Sequence, residues 1–143
     1  MISASRLKHI LRLTDETGIL EHALGVIPRR KEGYSTDDQA RALWLCLEWL
    51  DRLREGDERG GGGGRAAGGN RTAAGGRDGD DPGETLIPTL YRLIDTYLSF
   101  LHWVQRENGH FHNNIAYDRT REKEEPSEDC LGRCLWAAAQ AMV

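Results

Sequence analysis

No apolar run in this chain of 143 residues approaches the roughly 20 residues that cross a bilayer, so no membrane-spanning helix is expected. The N-terminus offers no secretory signal either, because Met1 to Arg12 interrupts its leucines with Arg6, Lys8 and Arg12. Cysteine is scarce. The three present, Cys46, Cys130 and Cys134, make an odd number without an export signal, which indicates reduced thiols and a cytoplasmic setting. Charge of one sign is not in large excess: 19 basic and 23 acidic side chains leave a formal net charge of −4, which speaks against a broad nucleic-acid-binding face. What remains has the size of one domain with a real but modest core.

What is present is a stretch written twice. Ser35-Thr36-Asp37-Asp38-Gln39-Ala40-Arg41-Ala42-Leu43-Trp44 returns 92 positions later as Ser127-Glu128-Asp129-Cys130-Leu131-Gly132-Arg133-Cys134-Leu135-Trp136, with five identities in ten positions. Each copy reads as a helix entrance: a serine at the N-cap, acids in the first turn, then an apolar run. Asp37 and Arg41, like Asp129 and Arg133, are four apart and share a helix face. Repetition of a helical unit at long period marks helical-hairpin arrays.

Read in order, Ser5 caps a short helix with Leu7, Ile10 and Leu11 as its stripe. Thr14 to Gly18 interrupts it, and Ile19 to Leu24 is expected to add another helical turn or two before Gly25 and Pro28. Arg29 to Gly33 is a charged loop, and a long helix follows from Thr36 to Arg54. Residues 56–84 hold 12 glycines and no large apolar side chain, the composition of a disordered insertion. Pro88 opens the next helix, which runs to Glu107 and stops at Asn108-Gly109. His110 to Asp118 reads as extended and Arg119 to Glu125 as a solvated charged loop. The last helix is still in progress at Val143, so the chain reads as the N-terminal part of a longer domain.

Four stretches, in this order, carry a family likeness: Thr14-Asp15-x-Thr17-Gly18-Ile19-x-x-His22-Ala23; Gly33-Tyr34-x-x-Asp37-Asp38-x-Ala40-Arg41-Ala42-Leu43; Gly109-x-Phe111-x-Asn113 with Tyr117-Asp118-Arg119; and Ser127-Glu128-Asp129-x-x-Gly132-Arg133-x-x-Trp136. Together they resemble the start of a six-hairpin, (α/α)6-toroid glycosidase-like domain of the bacterial kind found alone, attached to glycosyltransferases or encoded beside them. Gln39 stands where that family carries Asn, and only about the first two hairpins of the toroid are present. The resemblance implies an all-α, incomplete (α/α)6 toroid, an oligosaccharide or other sugar substrate, and a glycosyltransferase as a possible partner. No cofactor or metal is implied.

In such a toroid the equivalent inner helices run parallel, which sets Asp37, Asp38, Glu128 and Asp129 around one rim as candidate catalytic residues. A pair of carboxylates can hydrolyse a glycosidic bond as acid and base. A first-turn carboxylate meets the positive end of the helix dipole, which suits a base, a nucleophile or a hydroxyl acceptor better than an acid. The same acids are also ordinary helix stabilisers, and Arg41 and Arg133 ordinary bridges to them or to a neighbouring hairpin. Candidate substrate contacts are His22, Tyr34, Arg41, Asn113, Tyr117, Asp118 and Arg133. Tyr34, just before the rim acids, is the preferred stacking platform, whereas Trp44, Trp49, Trp103 and Trp136 fall in apolar stripes and are expected in the core. His110 and His112 alternate and would share a side, too few ligands for zinc. Cys130 and Cys134 are read as core packing rather than a metal pair.

Overall fold

The computed structural model describes residues 7–60 and 82–142. It is mostly helical. Helix α1 (Lys8–Leu13) is followed by a two-residue hairpin, β1 (Ala23–Leu24) and β2 (Ile27–Pro28), a 3-10 turn at Arg30–Glu32, and strand β3 (Tyr34–Ser35). Then come the long helices α2 (Thr36–Gly60) and α3 (Pro82–Val104), strand β4 (Asn114–Ile115) and helix α4 (Glu128–Gln140). Strand β4 pairs antiparallel with β3, Tyr34 opposite Ile115 and Ser35 opposite Asn114.

The core is built on α2, which packs against α3 on one side and α4 on the other. Its buried residues Gln39, Ala40, Ala42, Leu43, Cys46 and Leu50 wrap around more than one face, as two neighbours require. Leu90, Leu93, Ile94, Tyr97, Leu101 and Val104 give α3 its stripe, and Cys130, Cys134 and Ala137 give α4 a narrower one. Arg54 Nη2 near the end of α2 donates to Tyr91 Oη of α3 at 2.7 Å, and Gln39 at the start of α2 faces Phe100 across Gly18, so α2 and α3 are antiparallel.

Several boundaries differ from the sequence expectation. Ser5 lies outside the described residues. Ile19 to Leu24 is not helical: Ile19 bridges to Thr14, Leu20 bridges to Tyr34, and Ala23-Leu24 enters the hairpin through Gly25 at φ 61°. The backbone there is claimed from the side. Asp15 Oδ1 accepts from Thr17 and Gly18 N–H at 2.9 and 3.2 Å, while Gln39 accepts from Ile19 N–H at 2.8 Å and donates to Ile19 O at 2.7 Å. A group bonded that way cannot serve an i to i−4 ladder.

Residues 56–60 and 82–84, read as part of the insertion, continue the flanking helices, and residues 61–81 lie outside the described residues. Pro82 takes the first helical position, where its missing N–H costs nothing, and Pro88 sits inside the helix instead of opening it. Helix α3 ends at Val104 because Gln105 turns back to bridge with Phe111 through Gly109 at φ 86°. The charged strap after β4 is not merely solvated: Arg121 Nη2 donates to Trp103 O at 2.9 Å, and Glu124 accepts from Asn114 N–H at 2.9 Å and from Asn114 Nδ2 at 2.7 Å. Nor are all four tryptophans in the core. Trp49 and Trp103 pack against it, but Trp44 is 37% and Trp136 55% exposed. Among the described residues no helix is long and apolar enough to cross a membrane.

Candidate functional site

The entrance of α2 is assembled by the loops that meet there. Gly33 must be glycine: at φ 72° an added Cβ would stand 2.2 Å from the carbonyl oxygen of Ile115. That close approach lets β3 pair with β4 and feed directly into α2. Thr36 N–H then donates to Asn113 O at 2.8 Å, Thr36 Oγ1 donates to His112 O, and Asp37 N–H donates to Asn113 Oδ1 at 3.3 Å. These bonds satisfy helix-end groups that have no intrahelical partner. Asn113 is itself held, since its N–H donates to the Glu124 carboxylate.

The entrance of α4 is capped by Ser127, whose Oγ accepts from Cys130 N–H at 3.2 Å. The two entrances are joined by Arg133, which donates through Nη1 to Asp37 Oδ2 and brings Nη2 to 3.8 Å from Asp129 Oδ2. Arg41 pairs with Asp38 at 3.0 Å and comes to 4.0 Å from Asp37. Farther along, the Trp44 and Trp136 rings meet at 5.1 Å between centroids with planes 32° apart. Early residues of α2 thus touch early residues of α4, and middle residues touch middle residues, so the two copies of the repeat lie parallel and close to register. Between them opens a groove of about 270 Å³ lined by Ala40, Arg41, Trp44, Arg133, Trp136 and Ala137.

The predicted site residues divide accordingly. Asp37, Asp38, Arg41, Asp129 and Arg133 come together at this seam. Glu128 is exposed in the first turn of α4, and the Asp129 side chain is 84% exposed. Asn113 serves the start of α2 through its side-chain oxygen and its carbonyl. His22 is exposed, with Nε2 3.4 Å from Glu21 Oε1. Tyr34 cannot be a stacking platform: it is fully buried, and its hydroxyl donates to Asp15 Oδ2 at 2.8 Å. Burial first, and that bond second, push its phenol well above the ordinary range. Tyr117 stacks on the Tyr34 ring at 6.1 Å, and Asp118 closes its own turn by accepting from Thr120 N–H at 2.9 Å, a bond that holds its carboxyl below the usual carboxylate value.

Sequence reasoning passed over Gln39, Asp15 and Glu124, the three side chains that tie these loops together. Only the Asp-x-Thr-Gly order at 15–18 carried a signal, that of a side chain turning back on its own loop. It also set aside Trp44 and Trp136, since an apolar stripe does not reveal which of its edges stays uncovered. Behind the seam the Cys130 and Cys134 sulfurs lie 4.0 Å apart in a thiol contact that either can donate; it lowers the Cys130 thiol and, together with burial, raises that of Cys134. Burial pushes Cys46 up to about 12. All three are core thiols. Among the described residues no three His, Cys, Asp or Glu side chains converge as metal ligands.

The groove is lined by two guanidiniums, two partly exposed indoles that pack on each other and two alanines, while the carboxylates that pair with the arginines lie outside its lining. No protein-family model, no curated protein and no solved structure matches this chain.

Proposed function

We propose that this chain folds as helical hairpins of a six-hairpin, (α/α)6-toroid glycosidase-like domain and that it binds an oligosaccharide across the α2–α4 groove. The observation that carries this reading is the pairing of the two repeat copies. It aligns Arg41 with Arg133 and Trp44 with Trp136, so one groove offers a pair of packed, partly exposed indoles beside two guanidiniums. Sugar rings present C–H faces that pack on indole and hydroxyls that bond charged donors and acceptors.

Binding fits this geometry better than proton transfer does. Asp37, Asp38 and Asp129 each face an arginine, and the Asp37 Oδ2 atom is already bonded to Arg133. In this reading Trp44 and Trp136 make the platform, Arg41 and Arg133 contact sugar hydroxyls, and the acids hold those arginines in place. The commitment of the acids to arginines also favours a second reading, a non-catalytic accessory domain that presents glycan to a glycosyltransferase.

Calorimetric titration with neutral oligosaccharides tests the proposal. Trp136→Ala, at an exposed position, is expected to weaken groove binding by about ten-fold or more with the fold intact. Equal binding by wild type and Trp136→Ala at this groove would refute it. Release of reducing ends from the same oligosaccharides would favour hydrolysis over the accessory role.

A further inference from the structure

A second concavity lies along the outer side of α3. An open trough of about 480 Å³ runs between α3 and the loops carrying Glu16 and Arg119, within the roughly 300–1,000 Å³ of small-ligand sites. Its α3 wall is one helical stripe of Arg92, Asp95, Thr96, Ser99 and Trp103. None of these residues lines the α2–α4 groove.

The facing wall carries an exposed ion pair. Arg119 Nη2 donates to Glu16 Oε1 at 2.7 Å and its Nε donates to Thr17 Oγ1 at 3.2 Å. Arg119 does so at φ 72°, the one positive-φ residue other than glycine among the described residues. That backbone conformation belongs to a hydrogen-bonded turn, in which Arg119 N–H donates to Ala116 O at 2.8 Å and which sets the arginine toward the trough. The indole at the end of the trough is packed by two neighbours: Phe100 meets the Trp103 ring edge-on at 5.6 Å, and the Arg121 guanidinium lies 5.4 Å from its centroid. Glu16, Arg92 and Thr96 also border an adjoining hollow of about 570 Å³ that reaches Thr14 and Asp15, so the depression is elongated along α3.

The lining selects the ligand. Two carboxylates, Glu16 and Asp95, balance two guanidiniums, Arg92 and Arg119, and Arg119 is already paired. An anion would meet the carboxylates, and an apolar ligand would strand Asp95 and Arg92 without partners. A hydroxyl both donates and accepts, so a row of hydroxyls can use the acids, the arginine, and the alcohols of Thr17 and Ser99 together. We propose that this trough is a separate binding site for a neutral polyhydroxylated chain, a short oligosaccharide, laid along α3 toward Trp103. The lining alone carries this assignment, and it stands whether or not the α2–α4 groove binds sugar.

The test is calorimetry of the full chain with neutral α- and β-linked glucan hexasaccharides, with inorganic phosphate as the anionic probe. Ser99 and Asp95 are exposed, so Ser99→Trp fills the trough and Asp95→Ala removes an acceptor without touching the core. Ser99→Trp is expected to remove one binding site, and Asp95→Ala to weaken that site about ten-fold. Trp136→Ala should leave the trough unchanged. Failure of every neutral hexasaccharide to saturate, phosphate binding in their place, or unchanged stoichiometry in Ser99→Trp overturns the proposal. If Trp136→Ala alone abolishes all binding, the trough is refuted and the groove stands; if Ser99→Trp alone does so, the reverse holds.

Discussion

At the scale of single residues, several side chains in and beside the repeated motifs are fastenings. Gly33 permits the contact of β3 with β4, Asp15 and Gln39 pin the loop after α1, and Asn113 and Glu124 hold the start of α2. Gly33→Ala is therefore expected to destabilise the fold by about 3–5 kcal/mol, from a backbone collision added to an unfavourable φ. Gly25→Ala, also at positive φ but with nothing within 4 Å of the added Cβ, should cost only about 1–2 kcal/mol. Urea unfolding of the two variants measures the difference, and equal costs would contradict the close approach at Gly33.

His112 supplies a pH dependence at the same scale. Desolvation first, then Arg106 and Arg121, hold it below its ordinary 6.5, with Glu124 opposing. The unfolded chain takes up that proton at higher pH than the folded one, so stability is whole above 6.5 and declines as pH falls from there through the lowered folded value. Replacing His112 by Gln should flatten the stability profile between about pH 7 and pH 5. A profile as steep as wild type would show that another group is responsible.

At the scale of elements, the long helices were legible in the sequence because their apolar periods are strong: α2, α3 and α4 all appear, and Ser127 caps as its position implies. What was not legible depends on distant partners. Ile19 to Leu24 has a helical composition, yet its backbone is taken by Gln39 and Tyr34, which lie in a later part of the chain. The ends of α2 and α3 run beyond Arg54 and before Pro88 because a helix already formed tolerates a glycine at about 1 kcal/mol and a first-position proline freely. The acids and arginines of the repeat were visible as neighbours within a helix, with a bridge to a neighbouring hairpin as the other possibility; Arg133 takes that course, but the choice of Asp37 as its partner depends on how the two copies pack. A double-mutant cycle on Asp37 and Arg133 should give a coupling of about 1 kcal/mol, above the few tenths expected for the exposed Arg41 and Asp38 pair. A coupling near zero would mean that the two helices are not locked at that point.

At the scale of the whole molecule, α2 is the axis on which everything else is hung: α3 antiparallel on one side, α4 parallel on the other, and the β3–β4 pair at its start. Repeat-related positions differ in their surroundings. Leu43 and Leu50 are buried in α2, whereas the matching Leu135 and Met142 of α4 are 58% and 88% exposed. The repeat therefore fixes direction and register between α2 and α4 without giving the two copies equal cover. Among the concavities that come out of this packing, one is lined by Trp44 and Trp136 from both copies and another, along α3, by Trp103.

That separation makes one measurement decisive for the central claim, that the α2–α4 groove binds oligosaccharide. In nitrogen-15 spectra the four indole N–H signals, from Trp44, Trp49, Trp103 and Trp136, report separately during titration with a neutral oligosaccharide. Saturable shifts are expected for Trp44 and Trp136 with one common affinity, while Trp49 stays in place. Stationary Trp44 and Trp136 signals across the titration would contradict that claim.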